Sequence, residues 1–267
     1  MLDKMILGRF VPIESFVHSL DPRAKLIFVF IMTILVFFMD NWYGYLFGFV
    51  LVFLIIKLSN LKFMFVFNGI KPILFLIIFT FLMHVFLTKG GRTLFDWGIF
   101  NIQMDGVLMG IMISFRFIII IFLSTVMTLT TSPIALTDAI ESILNPFKKI
   151  KLPVHELALM MSIALRFIPT LMDETQKVMK AQMSRGSDLA SGNALQRFKA
   201  IGPLLIPLFV SAFKRADDLA IAMEVRGYKG DIGRTKYRQL KWQTKDTLTI
   251  LTLIPIGVII FILRSII

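Results

Sequence analysis

"LIFVFIMTILVFFM" at residues 26–39 and "NWYGYLFGFVLVFLII" at 41–56 are two uncharged runs separated by one aspartate, Asp40. At 14 and 16 residues each is slightly shorter than the roughly 17–25 residues of a bilayer-spanning helix. Trp42, Tyr43 and Tyr45 follow the aspartate at once, as interfacial aromatics do at the tip of a membrane hairpin. The pair therefore reads as two spans joined at Asp40-Asn41. The whole composition agrees: hydrophobic residues make up 57% of the chain and mean hydropathy is +0.80, above the roughly 45–50% apolar content of soluble domains.

Three more spans follow from the same reading. "PILFLIIFTFLMHVFLT" fills 72–88, with Pro72 placed as its first helical residue. A fourth span runs from about 106 to 129 around one charge, Arg116, and a fifth, 247–263, carries Pro255 as an expected kink. The expected fold is all-α and polytopic, with about five transmembrane helices. Residues 1–130 hold the N-terminus and spans one to four, 131–245 a segment of cytoplasmic or interfacial helices, and 246–267 the last span.

Charge sets the expected orientation. Of 29 Lys and Arg residues, 25 lie in the N-terminal segment, the 57–71 loop and the 131–245 segment. Placing these in the cytoplasm satisfies the positive-inside rule and accounts for the net charge of +12 without nucleic acid. The N-terminus does not resemble a cleaved signal peptide, so the first apolar run is expected to stay in the mature protein. The chain has no cysteine, which excludes disulfides, thiolate metal sites and cysteine nucleophiles. No P-loop, HExxH, GxSxG or paired-carboxylate pattern occurs, and neither a cofactor nor a metal site is expected.

The 131–245 segment contains three helical patterns. The first opens with Ser132 as N-cap and Pro133 at the first helical position and stops at Asn145-Pro146. The second carries Pro169 and ends at Gly186; the third carries Pro203 and Pro207 and ends at Gly227. Both have apolar first halves, so spans at 157–172 and 200–213 remain an alternative to helices that start at the membrane face and project into the cytoplasm.

Their endings match. "AQMSRGSDL" (181–189) and "AMEVRGYKG" (222–230) each place an alanine four residues before an Arg-Gly pair, and Arg185 and Arg226 are 41 residues apart. Residues four apart share a helix face, so Ala181 lies beside Arg185 and Ala222 beside Arg226. A small residue admits another protein surface while the guanidinium offers it a planar fork of donors. The alternative is ordinary capping: arginine complements the helix macrodipole and glycine closes the end.

Three further stretches give these features a context: "GRFVPIESFVHSLDPRAKL" at 8–26, "TLTTSPIALTDAIESILNPFKKIKLP" at 128–153 and "ALRFIPTLMDE" at 164–174. With the two Arg endings they resemble, in order and over nearly the whole chain, the transmembrane T component of energy-coupling factor (ECF) transporters. The resemblance implies that Ser184-Arg185-Gly186 and Val225-Arg226-Gly227 are the tips of coupling helices that dock into grooves on two ATP-binding-cassette ATPase subunits. Ser184 and Val225 stand where the family pattern has alanine. It also implies a non-catalytic scaffold in the bacterial plasma membrane, passing ATPase motion to a small substrate-binding S component for uptake of vitamins or other micronutrients. Pro169, Pro203 and Pro207 are the hinge candidates. The N-terminal stretch looks more like the shared-module type than the dedicated cobalt or nickel type.

His18, Asp21, Pro22, Arg23 and Lys25 form the family-like "HSLDPRAK" signature, read as a structural entry to the first span rather than an acid–base pair. His84 is read as an interfacial imidazole, and Arg116 is expected to reach a carbonyl or a carboxylate such as Asp105. The competing function is a self-sufficient secondary transporter or channel. It calls for intramembrane carboxylates, whereas Asp40, Asp96 and Asp105 are placed in loops. A membrane-embedded enzyme comes third, for want of a nucleophile or metal cluster.

Overall fold

A computed structural model of the chain describes residues 10–97, 100–150, 153–186, 194–230 and 239–265. Lys4, Arg9, Lys151, Arg234, Lys236 and Arg238, counted above for orientation, lie outside the described residues. The chain forms two compact units, one around Ile140–Gln239 and the other around Leu7–Ala139 with Leu240–Ile267.

The second of these units is the apolar bundle. It contains α1 (Pro22–Phe37), α2 (Trp42–Leu58), the short α3 (Phe63–Phe67), α4 (Leu74–Leu87), α5 (Met104–Thr130) and the start of α6 (Pro133–Leu144). The last helices, α9 (Thr244–Leu251) and α10 (Leu253–Ser265), return to it. By length and composition α5 and the α9–α10 pair can cross a membrane; α2 and α4 are shorter apolar helices. At 1.5 Å per residue the 16 residues of α1 extend only about 24 Å. Large side chains cover the outside of the bundle, with Phe30, Phe53, Phe75, Ile254 and Phe261 all exposed. Such a surface suits hydrocarbon, and the fold is that of an all-α polytopic membrane protein.

α5 is the central post. Ile119, Phe122, Leu123 and Val126 on it are buried with Met32 and Val36 of α1, Tyr45 and Val52 of α2, and Leu253 and Ile260 of α10. Its other face meets α4 through Gly106 and Gly110, a small-x-x-x-small pair that the sequence reading passed over. A Cβ on Gly106 would sit 2.8 Å from the His84 carbonyl oxygen and 2.9 Å from that of Thr88; one on Gly110 would sit 3.0 Å from the Phe81 ring. Helices in lipid associate by close packing rather than by escaping water, so these glycines set the α4–α5 separation.

Several expectations are adjusted. The loop between α4 and α5 forms an antiparallel hairpin, β1 (Thr93–Trp97) with β2 (Phe100–Gln103), where no strand was expected. Asp105 lies in the first turn of α5 rather than in a loop, where its charge complements the helix N-terminus. Pro72 falls in the turn before α4, which begins at Leu74. The last span is broken at Thr252, because Pro255 has no N–H to offer the Leu251 carbonyl one turn back.

Arg116 meets a carbonyl and a carboxylate, but not that of Asp105. Its Nη2 donates to the Met39 carbonyl and the Tyr45 hydroxyl, both at 3.2 Å, and lies 3.5 Å from Asp40 Oδ1. Asp105 is three turns back on the same helix, about 16 Å away, whereas the α1–α2 turn packs beside Arg116. Arg264 of α10 approaches the other oxygen of Asp40 at 3.3 Å. His84 Nδ1 is 3.2 Å from Thr88 Oγ1, within its own helix end.

The "HSLDPRAK" signature is where chain entry and chain exit are tied. Asp21 caps α1: its Oδ1 accepts the Arg23 backbone N–H at 2.9 Å and Arg23 Nε at 3.0 Å, while Pro22 takes the first helical position. The Asp21 backbone N–H donates to Asp246 Oδ1 at 2.8 Å, across 225 residues. Asp246 is itself half of a capping box with Gln243 at the start of α9. Lys25 is buried and donates to the Thr130 carbonyl at 2.9 Å and the His18 carbonyl at 3.3 Å, fastening the end of α5.

Burial alone would raise the Asp21 carboxyl, but the Arg23 hydrogen bonds and charge bring it below the ordinary carboxylate range. Burial lowers His18 from its ordinary value, the Val11 carbonyl partly restores it, and the Lys25 charge lowers it again. The neutral imidazole donates from Nε2 to Val11 O at 3.0 Å and accepts the Ser15 hydroxyl at Nδ1 at 2.7 Å. Both nitrogens are occupied inside the fold.

Candidate functional site

The other unit is built on two long helices, α7 (Val154–Ser184) and α8 (Ala194–Val225). α6 leads into it as expected, with the Ala135 N–H donating to Ser132 Oγ at 3.3 Å and a 3₁₀ turn following at Asn145–Ile150. Buried His155 lies 3.2 Å from Glu141 Oε1, joining the base of α7 to α6. Both long helices continue through their prolines, Pro169 in α7 and Pro203 and Pro207 in α8. α7 also has the length and mean hydropathy of a membrane span, which its apolar first half supplies; the sequence reading left that alternative open.

Each helix ends in a left-handed glycine, Gly186 at φ +83° and Gly227 at φ +75°. At the α8 end, Tyr228 N–H donates to the Met223 carbonyl at 3.0 Å and Gly227 N–H to the Glu224 carbonyl at 2.9 Å, the two bonds of a Schellman cap. At the α7 end, Gly186 N–H donates to the Met183 carbonyl at 3.0 Å. These bonds are all backbone. Side chains on Ala181, Ser184, Arg185, Ala222, Val225 and Arg226 are exposed, and Val225 is 82% so. A Cβ added to either glycine would meet nothing within 4 Å. Neither Arg185 nor Arg226 makes an ion pair among the described residues. Both helices thus present a small residue, a guanidinium that forms no ion pair among the described residues, and a backbone-closed end.

A polar clasp joins the two helices. Glu174 of α7 accepts the Ser211 hydroxyl at 2.6 Å and Arg215 Nη2 at 3.1 Å, both from α8. The clasp was not foreseen, although "ALRFIPTLMDE" ends on this glutamate. Its sequence separation repeats that of the tips: Glu174 and Arg215 are 41 residues apart, as are Arg185 and Arg226. Each tip arginine therefore lies eleven residues, about 16 Å along its helix, beyond its clasp residue. All three prolines precede the clasp, so the arm from clasp to arginine is uninterrupted helix on both sides.

Removing the clasp is expected to loosen the arms without unfolding the unit. Glu174→Ala removes both bonds of a solvated clasp, so the loss of stability should be small while the spacing of the arms relaxes. Spin labels at Ala181 and Ala222 would read it directly, as a wider distance distribution than in the parent chain. An unchanged width would show that apolar packing alone positions α7 against α8.

Among the described residues no group of three or more His, Asp or Glu is placed to hold a metal ion. What stands out is a membrane-embedded helical bundle followed by a basic unit with two like helix ends, the build of a transport component. Residues 14–237 match the family described as cobalt transport protein, CbiQ. The chain is 74% identical over 265 residues to the energy-coupling factor transporter transmembrane protein EcfT of Macrococcus caseolyticus (strain JCSC5402), covering 99% of this chain and 100% of that one. It is 54% identical over 264 residues to the EcfT of Staphylococcus aureus (strain 04-02981), with 99% and 98% covered. To the EcfT of Bacillus subtilis (strain 168) the figure is 52% over 265 residues, with 99% and 100% covered. The chain belongs to this family, the transmembrane components of energy-coupling factor transporters.

Proposed function

We propose that this chain is the non-catalytic coupling scaffold of a bacterial importer, seated in the plasma membrane with its N-terminus and its α6–α8 segment in the cytoplasm. Ser184-Arg185-Gly186 and Val225-Arg226-Gly227 dock on two ATP-binding-cassette ATPase subunits, and the apolar bundle holds a small substrate-binding S component. ATP binding draws the ATPases together and carries the two tips with them. The clasp-to-tip arms transmit that displacement, and bending at Pro169, Pro203 and Pro207 passes it to the membrane-side halves. The substrate, a vitamin or other micronutrient, is selected by the S component.

The observation that carries this reading is the pair of like, exposed Arg-Gly helix ends, each on an unbroken arm of equal length beyond a shared clasp. The test is purification of the tagged chain from its native membranes in mild detergent. Two ATPase subunits and at least one small membrane protein are expected with it, together with ATP hydrolysis that the chain alone lacks. A chain that purifies alone and moves a solute by itself in liposomes would overturn the proposal in favour of a self-sufficient transporter.

A further inference from the structure

The two arms that run from the clasp to the tips share a register of 41 residues. In that register Ala181 matches Ala222 and Arg185 matches Arg226, whereas Lys177 matches Asp218. Steps of four keep residues on one side of a helix, so Lys177, Ala181 and Arg185 share a face of α7, and Asp218, Ala222 and Arg226 share a face of α8. The face that ends in the arginine is kept from one arm to the other, and the charge behind it is inverted.

The rest of each arm extends the contrast. From Thr175 to Gly186 the α7 arm holds Lys177, Lys180 and Arg185 and no acid, a net charge of +3. From Ala216 to Gly227 the α8 arm holds Asp217, Asp218, Glu224 and Arg226, a net charge of −2. All seven side chains are exposed; Lys229 lies past the glycine that ends the second arm. Among the described residues, none of Lys177, Lys180, Asp217, Asp218 and Glu224 forms an ion pair.

Two local explanations fail. Helix stability accounts for a basic arm, since cations suit a helix C-terminus, but it opposes Glu224 in the last turn of α8. Pairing of one arm with the other is ruled out by direction. Ile163, Phe167 and Leu171, which precede Glu174, line one groove with Ala216, Leu219 and Met223, which follow Arg215. The helices therefore run antiparallel past the clasp, and their arms leave it in opposite directions, each for about 16 Å. The two charges face separate neighbours.

We propose that the charge of each arm selects its ATPase subunit: the α7 arm takes the subunit whose docking groove has an acidic margin, and the α8 arm the subunit whose groove has a basic one. This rests on the coupling role proposed above. The two arginines anchor both ends alike, while Lys177 and Lys180 on one arm and Asp217, Asp218 and Glu224 on the other decide which subunit is admitted. Charges at the rim of an interface act chiefly on the association rate and on rejection of the wrong partner. The tips are then not interchangeable, and the complex assembles in one arrangement.

The chain has no cysteine, so Ser184→Cys or Val225→Cys places a single thiol at one tip. The full-length chain in detergent is mixed with the two ATPase subunits recovered with it and a thiol-to-amine cross-linker, and mass spectrometry identifies the subunit captured. One subunit is expected at Ser184→Cys and a different one at Val225→Cys. Lys177→Glu with Lys180→Glu should slow capture at the α7 tip at least about tenfold at about 0.01 M salt and leave the α8 tip at the parental rate. The effect should vanish at about 1 M salt, where charges act over only about 3 Å. Asp217→Lys with Asp218→Lys should do the same at the α8 tip alone. The milder Lys177→Gln and Asp218→Asn should shift the rates in the same directions, and circular dichroism checks that each variant stays helical. The same subunit at both tips, or a reversal that slows neither tip or both alike, overturns the proposal. No capture at either tip of the parent chain ends the coupling reading and this one with it, whereas capture indifferent to arm charge ends this one only.

Discussion

Arg185→Glu combined with Arg226→Glu is expected to leave the chain folded in the membrane and strip both ATPase subunits from it. Folding should survive because the ends of α7 and α8 are closed by backbone bonds on Gly186 and Gly227, to which neither guanidinium contributes. In the complex, each arginine would be a desolvated charge hydrogen-bonded to its partner. Truncating such a group to alanine costs about 2–5 kcal/mol of docking, or roughly 30- to 5,000-fold in affinity. Reversing its charge adds repulsion to that loss. A plain capping role predicts otherwise: arginine at a helix C-terminus contributes only about 0.3–1 kcal/mol to its own helix. Copurification of the ATPases at parental yield with the double variant would therefore leave these ends as caps. Val225→Ala is the matching control. The valine is 82% exposed at the position where the family pattern has alanine, and trimming it should hold or improve docking.

Asp246→Ala should be the most damaging single substitution to the bundle itself. Its carboxylate is fully buried and accepts the backbone N–H groups of Asp21 and Gln243, each at 2.8 Å. The alanine would leave the buried Asp21 N–H without an acceptor, expose that of Gln243 to water, and take one negative charge from beside Arg23 and Lys25. One buried donor left without an acceptor costs about 1–3 kcal/mol, and the charge lost beside buried Lys25 adds to it, against a stability of about 5–15 kcal/mol. Denaturant unfolding of the detergent-solubilised chain measures it, and Asp246→Asn, which keeps one acceptor, should fall between. An Asp246→Ala chain as stable as the parent would show that the join of α1 to α9 rests on apolar packing. Acid probes the same join. The Asp21 carboxyl is held below its ordinary value, so its contribution is complete above about pH 4 and disappears as pH falls through its depressed value.

How far each of these features could be read in advance depends on how local it is. The Ser132 cap, the Pro133 start and the two glycine ends were readable because each depends on residues within about one turn. The membrane class was readable because mean hydropathy needs no partner. The β1–β2 hairpin was missed because it carries only 5 and 4 residues per strand, too few for alternation to register. The clasp was missed because Glu174, Ser211 and Arg215 are ordinary helix-surface residues until α7 and α8 are set side by side.

From its sequence alone this protein is an all-helical membrane chain with a basic middle segment, capped helices and two like Arg-Gly ends. Hydropathy, charge count and capping act over a few residues, and the order of residues contains all of them. Only the tertiary structure decided that Asp246 holds the start of α1, that Lys25 closes on the end of α5, that Arg116 turns to Asp40 rather than Asp105, and that Glu174 clasps α8. A hydrogen bond needs its atoms within about 3 Å. Between residues 41 to 225 apart in the chain, that distance is set by how closely helices pack, and for α4 against α5 by glycine contacts, rather than by any local signal.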